Sequence, residues 1–369
     1  MAAQRMRLGI IGANIHVGWA SRSHLPAVPA APDFELTAVC TTKKESAEES
    51  ARKYGAKLAF HDYRAMLAHP EIDAVAVVLR VPSHFEHTMA AIDAGKHVYT
   101  EWPLGQTTAQ AEEMEARAKA KGVARVVGLQ ARVEPSILTM KHLIAEGYVG
   151  EVRSCNLVLI RDGILDRPQE REWQWDDAKG AHTLTIANGH SVDAMRFVLG
   201  EFAEVHASIG TQTRQWFITD TKKTVTNVTS PDTILVNGRL ANGALVSSHV
   251  AHVPYAGSAY RMEVYGSKGT LVATGNDSPQ MAKVKLSGAQ GGNALQPIEP
   301  LKQYIFVPPA MPQGLPFNVG QMYHGFAQAI RGGASVAPDF ATAIRMHKLI
   351  DVMRESSRTG SRVKVPTPA

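Results

Sequence analysis

The chain has only two cysteines in 369 residues, Cys40 and Cys155. Each lies inside an apolar, strand-like run, which gives no disulfide framework and no thiolate metal site, and both read as small core residues. Long apolar runs are missing too. No stretch approaches the roughly 20 residues that cross a bilayer, and residues 1–7 run straight into a strand without the apolar segment of a signal peptide. A cytoplasmic protein with no membrane partner is expected. Charge of one sign is not concentrated either: the net charge is +5 and the pI about 9.1. Lys and Arg are scattered, with Lys43-Lys44 and Lys222-Lys223 as the local concentrations, which argues against a nucleic-acid partner. A mild positive excess suits an anionic cofactor instead. What the chain does have is 44% hydrophobic residues over a length sufficient for two domains with substantial cores.

Arg7-Leu8-Gly9-Ile10-Ile11 reads as a buried first strand. It feeds Gly12-Ala13-Asn14-Ile15-His16-Val17-Gly18, a variant of the G-x-G-x-x-G dinucleotide turn in which Asn14 holds the middle position and the loop is one residue longer. Asn tolerates left-handed backbone, so the turn remains feasible. A second strand, Glu35–Cys40, precedes Thr41-Thr42-Lys43-Lys44. NAD-selective sites usually place an acidic residue there for the ribose hydroxyls; a hydroxyl with lysines favours a 2′-phosphate, hence NADP over NAD. The alternative is a solvated helix start. Capping-box spacings at Thr42/Glu45, Ser83/Glu86 and Thr107/Gln110 open three helices, with Gly55, Gly95 and Gly122 at their ends. Strands over Ala74–Leu79, His97–Thr100 and Val123–Leu129 alternate with these helices, which predicts a doubly wound parallel sheet. No metal is expected.

After a helix at Pro135–Glu146 the texture changes. Strand-like runs at Val152–Ile160, Ala203–Gly210, Thr233–Leu240, Ala244–Val250 and Arg261–Thr274 follow without crossover helices, so a mostly antiparallel sheet is expected. Arg214–Ser230 and Gly288–Pro300 read as long loops, and Phe317–Arg331 and Phe340–Ser357 as closing helices. The division falls at 1–132 and 133–369, the last helix being free to pack back on the first domain.

Two stretches carry a resemblance. Gly95-Lys96-His97-Val98-Tyr99-Thr100-Glu101-Trp102-Pro103-Leu104 resembles the A-G-K-H-V-x-x-E-K-P-L segment of the glucose–fructose oxidoreductase / inositol dehydrogenase / rhizopine-catabolism (Gfo/Idh/MocA) family, with Trp102 in place of its Lys. Gly180–Asp193 resembles that family's G-G-x-L-x-D-x-G-x-H-x-x-D helix. His190 and Asp193 match its end, while Ile186 or Thr185 stands where its Asp should be. Pro82 and His87 are similar to the family's turn beside the nicotinamide. The resemblance implies a Rossmann-type α/β first domain and an α+β second domain with a large open sheet that joins homodimers or homotetramers. It implies hydride transfer between NAD(P) and a sugar, polyol or related hydroxy compound. Gly12, Asn14, Ile15, Gly18, Thr41, Thr42, Lys43, Pro82, His87, Glu101 and Pro103 would then hold the cofactor.

The departures set the chemistry. Removing a hydroxyl proton needs a base, and a histidine near neutral pH serves. His190 is the expected acid/base; Lys179 and His182 are close enough in sequence to replace the lost Lys or Asp. Trp102 cannot stabilise an alkoxide by charge but can stack on a sugar or nicotinamide ring. Arg161, Trp173, Trp175, Asn188 and Tyr323 are substrate-pocket candidates. One branch of the family kept the nucleotide site and became a sensor, and Glu-Trp and Gly-His resemble that branch. The rival expectation is therefore a nucleotide-binding regulator that holds a protein partner.

Overall fold

The structure is a computed structural model, and residues 4–366 are described; residues 1–3 of the expected leaderless start lie outside them. The chain forms two compact units. The first comprises Met1–Gln130 and Phe306–Ile344, the second Ala131–Ile305 and Arg345–Ala369. The first break sits two residues before the expected 132/133 boundary. The stretch after Ile305 is divided between the units rather than belonging to the second alone.

The first unit is built on six strands: β1 (Met6–Ile11), β2 (Phe34–Cys40), β3 (Leu58–Phe60), β4 (Ala74–Val77), β5 (His97–Glu101) and β6 (Arg125–Gly128). Their order is β3-β2-β1-β4-β5-β6, every pair parallel. This is the doubly wound sheet expected from short, mostly apolar runs, whose central strands are buried on both faces. The N-terminal segment of this unit adds the helices α1 (Trp19–Arg22), α2 (His24–Ala27), α3 (Lys44–Tyr54), α4 (Tyr63–Leu67), α5 (His84–Asp93) and α6 (Thr108–Lys121). The helix after the first loop is broken into two short pieces because Pro26 and Pro29 lack the N–H that a longer helix needs.

One of the three expected capping boxes puts its N-cap in place: the Thr107 side chain accepts from the Gln110 N–H. The other two are corrections. Thr42 does not cap α3, whose N-cap is Lys43 without a side-chain bond. Ser83 makes no cap bond either, and Glu86 instead accepts from Tyr63 and Arg64.

The second unit contains α7 (Pro135–Ala145) and α8 (Ala187–Leu199). Its strands run β7 (Val152–Arg161), β8 (Asp166–Arg167), β9 (Phe202–Gly210), β10 (Gln215–Ile218), β11 (Lys223–Thr226) and β12 (Thr233–Leu240). They continue β13 (Leu245–His252), β14 (Ala259–Gly266), β15 (Gly269–Gly275), β16 (Lys285–Gln290), β17 (Gln296–Ile298) and β18 (Val363–Lys364). Nine of them form one sheet in the order β17-β16-β15-β14-β7-β13-β12-β9-β18. All its pairs are antiparallel except β7 with β13. Burial alternates along β12 and β14, so one face packs inward and the other presents Leu235, Leu245 and Tyr265 to the outside.

The loops expected at Arg214–Ser230 and Gly288–Pro300 are corrected: the first holds β10 and β11, the second runs through the end of β16 and all of β17. β10 and β11 join β8 in a separate three-stranded sheet over a small core of Ile164, Trp216, Ile218, Val225 and Val228. α9 (Leu315–Ile330) lies in the first unit, and α10 (Phe340–Thr359) runs from the first unit into the second.

Candidate functional site

In the first unit, the turn after β1 is shaped by backbone rather than side chains. Gly12 has φ 90°, and a Cβ there would lie 2.1 Å from the Val78 carbonyl oxygen, so no other residue fits. Asn14 Oδ1 accepts from the His16 and Val17 N–H groups, a local turn that explains how Asn replaces the middle glycine. Ile15 lies half-buried in this turn. Gly18, φ 88°, caps α1 with open space where a Cβ would be. A tight turn and a glycine with no covering atoms are what the approach of a pyrophosphate requires, and these residues fit a dinucleotide.

At the end of β2, the Thr41 hydroxyl donates to the Lys43 carbonyl and pairs with Ser46 Oγ at 2.6 Å. Thr42 and Lys43 are exposed. Pro82 lies in the 3-10 turn Val81–Ser83, and His87 Nδ1 sits 2.8 Å from the Ser83 carbonyl with its ring against Tyr63. His84, three residues earlier, is buried rather than on the helix surface. It reaches the carbonyls of Pro103 (2.7 Å) and Leu79 (3.0 Å), tying the turn after β5 to the end of β4, and burial pushes its pKa down.

Trp102 is buried and begins a cis peptide with Pro103. Glu101, just before it, is fully engaged inside the unit. Its carboxylate takes His24 Nε2 at 2.7 Å and Gln130 Nε2 at 2.8 Å. Burial alone would raise the Glu101 pKa, but the hydrogen bonds from His24 and Gln130 hold it below the usual carboxylate range. His24 Nδ1 meets Tyr323 Oη at 2.8 Å, and Tyr323 packs among Phe34, Tyr99 and His24 with no exposed surface. Tyr323 is thus a core residue of the first unit and not a pocket residue, a correction: α9 carries it into the aromatic layer beside β5.

In the second unit, α8 carries Asn188, His190 and Asp193, all buried. Asn188 Nδ2 donates back to the Leu184 carbonyl. Asp193 is gripped by Arg132 through two bonds of 2.6 and 2.8 Å and by Arg196 at 3.4 Å, which anchors the helix. Just before α8, His182 Nε2 lies 2.8 Å from Asp177 Oδ1, and Arg354 holds the same carboxylate. Arg354 Nη2 also lies 3.3 Å from Nε2, while Nδ1 is buried with no hydrogen-bond partner. Burial pushes the His182 pKa down, and Asp177 offsets this only in part, so the ring is neutral near pH 7. Lys179 points to the surface.

His182 is one wall of a cavity whose empty space, its open mouth included, is about 490 Å³. Ile186 is another wall, and Arg161 is a third. Trp173 and Trp175 do not line it, and are corrected as pocket residues. Trp173 bonds the Glu170 carbonyl, Trp175 is exposed, and Gln174 between them is the residue that faces in. Arg167, His252 and Trp216 complete the wall and went unnoticed in the sequence. The one available signal was the short apolar run Trp216-Phe217-Ile218, which lies in β10. Among the described residues no three His, Cys, Asp or Glu side chains come together as a metal would need, and no helix is long and apolar enough to cross a membrane.

Residues 6–129 match the oxidoreductase family model with the NAD-binding Rossmann fold, and residues 137–272 match the GFO/IDH/MocA C-terminal domain. A dehydrogenase of Aspergillus oryzae, aclE, is 32% identical over 74% of this chain and 78% of its own. Levoglucosan dehydrogenase of Pseudarthrobacter phenanthrenivorans is 26% identical over 98% of this chain and 99% of its own. A solved levoglucosan dehydrogenase complex with NADH and levoglucosan superposes with a TM-score of 0.83 at 25% identity, over 99% of this chain and all of the other. The galactose/lactose regulatory protein GAL80 of Saccharomyces cerevisiae is 26% identical over 65% of this chain and 59% of its own. A super-repressor form of it shares the fold, with a TM-score of 0.86 at 22% identity over 98% of each chain. With its parallel nucleotide-type sheet, its open nine-stranded sheet and these relatives, the chain belongs to the Gfo/Idh/MocA family of NAD-binding oxidoreductases.

Proposed function

We propose that this protein is an NAD(P)-dependent oxidoreductase acting on a sugar, polyol or related hydroxy compound. The observation that carries the reading is the Asp177–His182 pair on the cavity wall. It is an imidazole kept neutral by burial and held in place by a carboxylate, beside Ile186 on the same wall. When bound, the nicotinamide supplies or takes the hydride. The backbone of Gly12, Asn14, Ile15 and Gly18 holds the pyrophosphate, and Pro82, His87 and Pro103 border the nicotinamide end. Lys43, exposed and without an ion pair among the described residues, favours the 2′-phosphate of NADP. His182 would take the hydroxyl proton in oxidation and return it in reduction, with Asp177 stabilising the imidazolium that forms. His190 is the second acid/base candidate. Trp102 shapes the site and contributes no charge. The open sheet face with Leu235, Leu245 and Tyr265 joins copies of the chain into a dimer or tetramer.

A second reading is favoured by the same two replacements, Trp102 and Ile186, and by the likeness to GAL80: a nucleotide-binding regulator without turnover. The test follows nicotinamide absorbance with pooled aldoses, polyols, glycosides and their oxidised forms, using NADP and NAD in both redox states. Turnover that falls about 10²- to 10⁴-fold in His182→Ala supports the enzyme with His182 as base. The same loss in His190→Ala alone transfers the role to His190. Absence of turnover alongside nucleotide binding that Gly12→Asp abolishes supports the regulator.

A further inference from the structure

Arg167 is a buried cation with no carboxylate bonded to its guanidinium among the described residues. The residue is 8% exposed. It stands at the end of β8, paired in register with Ile218 of β10, and its guanidinium lies 4.7 Å over the Trp216 ring. Its hydrogen-bond partners are neutral. Nη2 donates to Gln174 Oε1 at 2.8 Å, and Nη1 lies 3.5 Å from His252 Nδ1. Nε is buried with no partner.

His252 can accept at Nδ1 because its Nε2–H is spent on the Asp162 carbonyl at 2.8 Å. Burial, with Arg167 and Arg161 nearby, pushes its pKa down to about 3, so the ring adds no charge of its own. Among the described residues no carboxylate forms an ion pair with Arg167. Asp232, on the same wall, is occupied by the Gln212 and Thr213 N–H groups. The other arginines add to the field: Arg161, already paired with Asp277 at 2.9 Å, and Arg171 both line the cavity.

A buried charge left unpaired is costly and is kept where something else supplies the counter-charge. Arginine's planar fork matches the paired oxygens of a carboxylate or a phosphate, and here aromatic stacking and Gln174 fix its plane in advance. We infer that this cavity is a subsite for an oxyanion, so that the substrate is an anionic hydroxy compound, a sugar acid or a sugar phosphate, rather than a neutral sugar. The placement as a substrate subsite rests on the oxidoreductase reading; the anion site itself does not. The three-stranded sheet then has a purpose, since it is the element that carries Arg167 and Trp216 to the wall shared with His182 and Ile186.

Titration calorimetry on the full chain, without nicotinamide, tests the site with D-glucuronate, D-glucose 6-phosphate and D-glucose. At least tenfold tighter binding of one anion than of glucose is expected, and which anion prevails identifies the source of the charge. Arg167→Gln is expected to bring the preferred anion within about twofold of glucose, and Arg167→Lys to keep part of the preference. Equal binding of all three ligands, or an anion preference that survives Arg167→Gln, would overturn the inference. Should Arg167→Gln not fold, Gln174→Leu is read in its place; it frees the guanidinium plane and is expected to weaken the anion about threefold or more, and an unchanged preference overturns the inference. Nicotinamide turnover is measured separately on the same ligands. Anion binding without turnover leaves the subsite standing and removes the oxidoreductase reading; turnover on glucose with no anion preference does the reverse.

Discussion

Glu101 and Arg167 are both buried charges at strand ends, one in each unit, and the chain surrounds them in opposite ways. Around Glu101 the first unit assembles His24, Gln130 and Tyr99, with Tyr323 closing the far side of His24. Around Arg167 the second unit supplies an amide oxygen, an imidazole lone pair and an aromatic face, and among the described residues no acid bonds to it. The first arrangement is complete within the protein, which is the pattern of a structural network. The second is complete only when something binds. The Glu101 nest therefore fixes the turn that carries Trp102, whereas the Arg167 cavity is arranged toward a ligand.

The contrast can be broken most directly through Glu101. Glu101→Ala strands His24 and Gln130 in the core and is expected to cost about 3–5 kcal/mol, read by denaturant unfolding. A loss below about 1 kcal/mol would mean the nest is not the support it resembles. An intermediate effect comes from Glu134, which caps α7 by accepting from Ile137 and has its pKa pushed up to about 7 by burial. The unfolded chain titrates this group near its ordinary value, so between there and about pH 7 the folded state holds a proton that the unfolded state has lost. Stability attributable to Glu134 is therefore full at low pH and declines as pH rises through that window. Glu134→Gln should flatten the decline and gain about 2 kcal/mol at pH 8, seen as a smaller difference in Tm between pH 5 and pH 8. Smallest, and opposite in sign to Glu101, is Arg167→Met. Replacing an unpaired buried charge by an apolar chain of similar length should leave the apo protein as stable or up to about 1 kcal/mol more so. A clear destabilisation there would show Arg167 to be structural, like Glu101.

Much of this was legible from spacing. The strand–helix alternation behind the parallel sheet, the consecutive strands from β12 to β15 and the turn glycines Gly55 and Gly122 are patterns set within a few residues of each element. What local pattern could not give depends on partners far along the chain. The Thr42/Glu45 and Ser83/Glu86 spacings have the capping form, but α3 starts one residue later with Lys43 as its N-cap, and Tyr63 takes the Glu86 carboxylate. Arg214–Ser230 reads as loop because β10 needs β8, a strand of only two residues, to be recognised. Tyr323 reads as a pocket aromatic until His24, at the other end of the sequence, is found against its hydroxyl. Arg167 stood in an unremarked Asp-Arg-Pro run, and its significance lies in what is absent around it, which no sequence displays.

The division of the chain bears on synthesis. The first unit is not contiguous. Phe34 stacks on Phe326, and the edge strand β6 receives the Pro338 carbonyl at Val127 N–H, so its aromatic layer and one sheet edge are finished by residues 306–344. On a ribosome, the nucleotide-type sheet emerges first but waits with an uncovered edge until the whole of 131–305 has been made. Truncation before Phe306 would accordingly leave a sheet with an apolar face and an open edge, a species suited to aggregation rather than to nucleotide binding.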